Sequence, residues 1–273
     1  MKIIRAGSVH IPIRSWPEKR VRMERKLLVA VDGSVYSSNI INYLGQLFAQ
    51  SEEVHFHLLT IVACSNLPHA REWMEEKELM NCVSPEGRRH FQQSRDYLEA
   101  AVRKLAKNGI GGDRVTVDTR LSVRSIADDI LHEARQGLYD GIILGRRGHG
   151  LIEELVIGSV SGNMIEKSHD VPVWLIEESE GDPRRILAPV DGSFSALMAI
   201  DHLAHILAGN PDVEVTLFQS SAMFAHESGN RPEKFHEQWG EQWCREHLHR
   251  QDSLFHAPRQ LLVESGLASE RIK

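Results

Sequence analysis

Gly145-Arg146-Arg147-Gly148-His149-Gly150-Leu151-Ile152-Glu153-Glu154-Leu155-Val156-Ile157-Gly158-Ser159-Val160-Ser161 is the stretch on which the reading of this chain turns. It follows the apolar run Gly141-Ile142-Ile143-Leu144, which reads as a buried strand. Val160 to Lys167 can be helical, and Val171-Pro172-Val173-Trp174-Leu175-Ile176 reads as the next strand. Strand, glycine-rich loop and helix start in that order form a common anion site. Glycine lets backbone N–H groups approach a phosphate, and a helix N-terminus offers unpaired donors at the positive end of its dipole. Ser159 suits the N-cap, the hydroxyls of Ser159 and Ser161 are candidate donors, and Arg146 and Arg147 add charge. Taken alone, the stretch also reads as a connection that binds nothing.

Upstream, the chain supplies the elements that give this loop a setting. Leu27-Leu28-Val29-Ala30-Val31 is a short continuous apolar run, the signature of a strand buried on both faces, and it ends in Asp32-Gly33-Ser34. Ser34 or Ser37 can cap the helix that follows, whose apolar face carries Ile40, Ile41, Leu44, Leu47 and Phe48. Val54 to Val62 is a second strand, and Leu67 to Val83 is a charged excursion with room for a short surface helix. Pro85 opens a long helix with Phe91, Leu98, Ala101, Val102 and Leu105 on its buried stripe, and Asn108-Gly109 ends it. Val115 to Leu121 alternates as a third strand, and Ser125 with Asp128 forms a capping box before Ile126, Ile130, Leu131 and Ala134. Strands alternating with helices predict an α/β fold, a doubly wound parallel five-stranded sheet. Ligands of such folds bind beyond the carboxyl ends of the strands. The Asp32 turn and the Gly145 loop both lie at that edge.

The chain then repeats itself. After the linker Glu177 to Pro183, Arg185-Ile186-Leu187-Ala188-Pro189-Val190-Asp191-Gly192-Ser193 matches Lys26 to Ser34 without a gap, at an offset of 159. The match continues through Ile41/Ile200, Leu44/Leu203 and Ala49/Ala208 to Val54/Val213 and Leu58/Leu217. Gln238 to Val263 reads as helix, Gly266 ends it, and Arg271-Ile272-Lys273 opens a third strand. The expectation is a basic leader over 1–25, a complete domain over 26–178, and a partial, truncated second copy over 184–273 without a glycine loop. Such a half-sheet would leave an open edge and an uncovered apolar face, to be covered by the first copy or by another chain.

Two motifs together resemble the universal stress protein family: the strand ending in Val31-Asp32-Gly33-Ser34, and Gly145-x-x-Gly148 followed by nine residues and Gly158-Ser159. The resemblance spans about residues 26–177, with 184–273 as a partial second copy. It implies an adenine nucleotide alpha hydrolase-like sheet, often dimeric, and in one branch a bound ATP, with or without Mg2+. It further implies that Asp32 contacts the ribose or adenine side, with Ala30 and Val31 beside it, and that Ile61 meets adenine through its backbone. Gly145, Arg147 and Gly148 would line ribose and phosphates, and Gly158, Ser159, Val160 and Ser161 would hold the phosphates. The bulky Arg146-Arg147 pair inside the Gly-x-x-Gly gap departs from many members. A regulatory ATP binder in a stress response is the expected function, and the alternatives are a slow ATP hydrolase and a structural member that binds no nucleotide. Hydrolysis needs a water-positioning group, for which only Glu153 and Glu154 in the loop present themselves.

Composition is consistent with this reading. The chain has 273 residues, 41% of them hydrophobic and 26% charged, with a net charge of −6. Eight Lys or Arg against two Glu put +6 on residues 1–26 and leave −12 on the remainder. This basic leader reads as a solvated arm, and neither nucleic acid nor a membrane is expected as a partner. Cys64, Cys82 and Cys244 are widely spaced, which argues against a disulfide framework or zinc ribbon and fits a reducing cytoplasm. No apolar run is long enough to span a bilayer. Cys244, His247, His249 and His256 fall close together, but interface or surface histidines explain them better than a metal. The expected assembly is a homo-oligomer or an intramolecular pairing of the two copies.

Overall fold

The computed structural model describes residues 24–64, 68, 73–146, 157–177, 181–219 and 253–273. Its main body is a five-stranded sheet of β1 (Arg25–Ala30), β2 (Val54–Val62), β3 (Val115–Leu121), β4 (Gly141–Gly145) and β5 (Val173–Ile176), in the order β3-β2-β1-β4-β5. Every neighbouring pair is parallel. β1 opens at Arg25, two residues before the apolar run, because the Arg25 N–H reaches the Glu53 carbonyl at 3.0 Å. β5 opens at Val173 rather than Val171. Pro172 cannot donate to the ladder, and its carbonyl instead accepts from the Ile142 N–H at 2.9 Å.

Helices cover both faces, which is why the strands are continuously apolar. On one face α1 (Val35–Phe48) and α3 (Pro85–Lys107) bury Ile41, Leu44, Phe48, Leu98 and Leu105 against Leu27, Val29, Phe56 and Leu58. On the other, α4 (Ile126–Gln136) and α5 (Ser159–Lys167) bury Ile130, Leu131 and Met164 against Leu28, Leu59, Ile142 and Leu144. Each such leucine contributes roughly 2 to 3 kcal/mol of burial. The helix starts are capped as their sequences dictate. Ser34 accepts from the Ser37 N–H, Ser84 from Gly87, and Ser125 from Asp128. Within the charged excursion, α2 (Glu76–Cys82) is a short helix, while Trp73 is exposed.

Residues 181–219 and 253–273 form a smaller unit with β6 (Arg185–Pro189), α6 (Phe194–Ile206), β7 (Glu214–Phe218) and α7 (Ser253–Glu264). The pairing Arg185↔Glu214 repeats Lys26↔His55 at the same offset of 159, so strand register as well as sequence recurs. The Gly33 φ of +81° is matched by +77° at Gly192, and that of +90° at Gly109 by +97° at Gly266. Each of these positions needs a residue that tolerates the left-handed region. Ile272 bridges Val215 in parallel, standing where Val115 stands beside Phe56.

The smaller unit packs on the main body, and the two share one core that includes Val29, Phe48, Ala188, Ile200, Ile206 and Val215. Polar contacts fix the junction. The buried Arg25 guanidinium donates to the carbonyls of His205, Ile206 and Ala208 and pairs with Glu53 at 3.1 Å. Asn210 Nδ2 donates to the Leu47 carbonyl at 2.7 Å, and the Trp174 indole N–H donates to His202 Nε2 at 2.8 Å. The Arg25 contacts lie at the N-terminal end of β1, away from the carboxyl edge. No described helix is long and apolar enough to cross a membrane.

Candidate functional site

β1 and β4 are neighbours, paired through Ala30↔Leu144. From β1 the chain goes to β2 on one side, and from β4 it goes to β5 on the other. Doubly wound sheets take their ligands at the carboxyl edge of such a divergence. The Asp32 turn lies at this edge after β1, and the junction of β4 with α5 lies there after β4.

The Asp32 turn is tightly bonded. Asp32 Oδ1 accepts from the Ser34 N–H at 3.0 Å and from the Ser37 hydroxyl at 2.7 Å, while Ser37 Oγ accepts from the Asp32 N–H at 2.9 Å. Ser34 and Ser37 are buried and Asp32 is exposed, so a rigid base carries an outward carboxylate. The Tyr97 ring of α3 lies against Gly33, where an added Cβ would sit 3.7 Å from it. Burial pushes the Tyr97 phenol up, so it stays protonated at neutral pH. The sequence reading passed over Tyr97, because its place on the edge of a long amphipathic helix gives no sign of the turn it meets.

Of the residues singled out, Ala30, Ile61 and Val160 pack on one apolar cluster, on the α4 and α5 side of the sheet. This is a suitable floor for a flat base. Val31 is committed otherwise, with its side chain in the opposite core and its N–H donated to the Leu59 carbonyl at 3.0 Å.

Two bonds close the base of the glycine loop. The Gly158 N–H donates to the Arg146 carbonyl at 3.0 Å, and the Ser161 hydroxyl donates to the Gly145 carbonyl at 2.8 Å. They bring Gly145, Gly158, Ser159, Val160 and Ser161 together and place the start of α5 beside the end of β4. The N-cap is Gly158 rather than Ser159, because Gly158 has the extended backbone of a cap and Ser159 is already helical. The Ser161 proton is likewise spent on the loop base rather than on a ligand. The first N–H groups of α5 lack intrahelical partners, as at any helix start. Arg146 turns to Glu177 at the end of β5, with both carboxylate oxygens within 2.9 Å. Arg147, Gly148, Glu153 and Glu154 lie outside the described residues.

At the same edge, Asp129 organises the turn between β3 and α4. It accepts from the Ser122 hydroxyl at 2.8 Å and from the N–H groups of Val123 at 3.0 Å and Arg124 at 3.3 Å. The capping box beside it was legible, but this second carboxylate gives no local sequence signal. Among the described residues no three His, Cys, Asp or Glu converge to hold a metal, and Cys244, His247 and His249 lie outside them.

Residues 23–177 match the universal stress protein family. No curated protein matches the chain. Among solved structures, a universal stress protein from Archaeoglobus fulgidus DSM 4304 is similar at TM-score 0.52 and 17% identity, covering 81% of this chain and 74% of its own. Another from Archaeoglobus fulgidus, in complex with dAMP, has TM-score 0.40 and 17% identity, covering 56% of this chain and 98% of its own. Lactobacillus plantarum UspA has TM-score 0.45 and 17% identity, covering 57% and 99%. The match over more than half of the sequence agrees with the strand order and with the paired Asp32 and Gly158-Ser159 motifs at one sheet edge. The chain belongs to the universal stress protein family.

Proposed function

We propose that this protein is a stress-response regulatory module that binds one adenine nucleotide, ATP, at the carboxyl edge between β1 and β4, and holds it without fast turnover. The observation that supports this reading is that the Asp32 turn follows β1 while the start of α5 is bonded beside the end of its neighbour β4, at the switch point of the sheet. The residues fit a nucleotide. Asp32 is an outward, braced acceptor suited to ribose or base donors. Ala30, Ile61 and Val160 offer apolar surface for the base. The N–H groups at the start of α5, with the Gly145 and Gly158 backbone, favour phosphate. Arg147 and Gly148 belong to the same proposal. Mg2+ would arrive on the phosphates rather than in a protein cage.

Hydrolysis is not part of the proposal. The Asp32 carboxylate is engaged by two donors of its own turn, which suits holding a ligand better than activating water. We further take residues 184–273 as a partial second copy, on the strength of the repeated register and turn. These residues contain no counterpart of Gly145 to Ser161, so the nucleotide is assigned to the unit formed by residues 26–177. The setting proposed is the cytoplasm, with assembly through the two units or as a homo-oligomer.

Denaturing the purified protein and chromatographing what it releases tests the reading. The expected result is one adenine nucleotide per chain, either carried through purification or taken up from added ATP. No uptake, or two per chain, would overturn it. A steady ATPase rate within the ~1–10³ s⁻¹ usual for enzymes would replace the binder by a hydrolase.

A further inference from the structure

Two turns of the same sequence, Asp32-Gly33-Ser34 and Asp191-Gly192-Ser193, are built alike except for one hydroxyl. Gly33 and Gly192 both take the left-handed conformation. In both, the first aspartate oxygen accepts from the serine N–H two residues on, at 3.0 Å for Asp32 and 2.8 Å for Asp191. In both, that serine caps the following helix, Ser34 accepting from the Ser37 N–H at 3.3 Å and Ser193 from the Ala196 N–H at 3.1 Å. The difference lies at the third residue of the helix, where Ser37 faces Asp32 and Ala196 stands in its place below Asp191.

The turn at Ala196 forms without a hydroxyl, so the Ser37 hydroxyl is not needed to make the turn. Two of its bonds go to Asp32. It donates to Oδ1 at 2.7 Å and accepts from the Asp32 N–H at 2.9 Å, clamping side chain and backbone of one residue from a site that is 3% exposed. A carboxylate held in this way keeps its orientation before a ligand arrives, and the ordering cost is not drawn from binding.

We infer that Ser37 is a positioning residue of the nucleotide site, acting through Asp32, and that the exchange to Ala196 leaves the Asp191 turn without this device. The inference rests on the nucleotide-binding reading above. Calorimetric titration with ATP of the full chain and of the Ser37→Ala, Ser37→Thr, Asp32→Asn, Asp32→Ala and Asp32→Ala/Ser37→Ala variants tests it, with melting curves confirming that each is folded. Ser37→Ala is expected to weaken ATP by about tenfold, the scale of one hydrogen bond to a charged group. Ser37→Thr, which keeps the hydroxyl, is expected to restore most of the affinity. Added to Asp32→Ala, which leaves no side-chain acceptor for the hydroxyl to position, Ser37→Ala should cost nothing more, an outcome that a merely structural role would not give. Unchanged affinity in Ser37→Ala while Asp32→Asn weakens binding would overturn the inference and leave the site standing. Full additivity of the two changes would overturn it as well. An Asp32→Asn variant that binds ATP as well as the parent would remove Asp32 from the site, and the nucleotide reading of that turn would fail with it.

Discussion

Arg25 gathers four partners around one guanidinium, three of them carbonyls at and just past the C-terminal end of α6, where the helix dipole is negative. It is 3% exposed, so its removal strands those carbonyls and takes the Arg25 charge away from the Glu53 carboxylate. Arg25→Ala should therefore cost about 3 to 5 kcal/mol in urea unfolding, and Arg25→Lys should recover only part of it, since a single ammonium cannot reproduce the planar fork. Gly158 poses the opposite case. Its φ of −59° and ψ of 153° suit any residue, so Gly158→Val should fold normally. A side chain there would crowd the approach to the start of α5, and we expect ATP affinity to fall by ~100-fold or more, about 2.7 kcal/mol. Titration calorimetry beside an unchanged melting curve would check both halves of that statement.

β1 and β6 have corresponding positions and the same register but different surroundings. Leu28 is fully buried beneath α4 and α5, whereas its counterpart Leu187 is 62% exposed. Phe218 repeats the contrast with Leu59, being 45% exposed against 1%. The same truncation should then have two outcomes. Leu28→Ala should destabilise by about 2 to 5 kcal/mol, as large-to-small changes in a packed core do. Leu187→Ala should stay within ~0.5 kcal/mol of the parent, as exposed positions do. Urea unfolding of the two variants side by side reads the difference, and equal losses would mean that something covers Leu187 in solution.

The junction between the two units makes stability of the whole molecule depend on pH. Burial, with the nearby His205, pushes His202 down to about 4, and its Nε2 accepts from the Trp174 indole N–H only while unprotonated. The Asp140 carboxyl, raised by burial but lowered further by His205 and the Lys26 N–H, ends below its usual range. For both groups the folded value lies below the unfolded one, so the unfolded chain takes up protons first as the pH falls. Stability is therefore full near neutrality. The His202 contribution is lost between about pH 6.5 and 4, and that of Asp140 at lower pH. Urea unfolding at pH 7 and pH 4.5 should show a loss on the order of 2 kcal/mol, and His202→Gln should shrink that loss. Trp174 fluorescence should report the same transition.

The sequence by itself determined the alternation of strands and helices, a serine cap at Ser34 or Ser37, the cap at Ser125, and the recurrence of one turn 159 residues on. These are local matters, settled by side-chain periodicity, by hydroxyls that reach backbone N–H groups three residues away, and by glycine at positive φ. It also indicated which loops share the carboxyl edge, because parallel strands joined by helices put every strand end on the same side. The tertiary structure alone decided which groups there meet. The Tyr97 ring on Gly33, the Ser37 clamp on Asp32, the turn of Arg146 to Glu177 and the use of the Ser161 proton at Gly145 depend on orientations that no spacing encodes. It likewise decided that Arg25, read from sequence as the end of a solvated leader, is buried at a junction. A charged side chain carries no mark of its partner when that partner is a row of carbonyls 180 residues away.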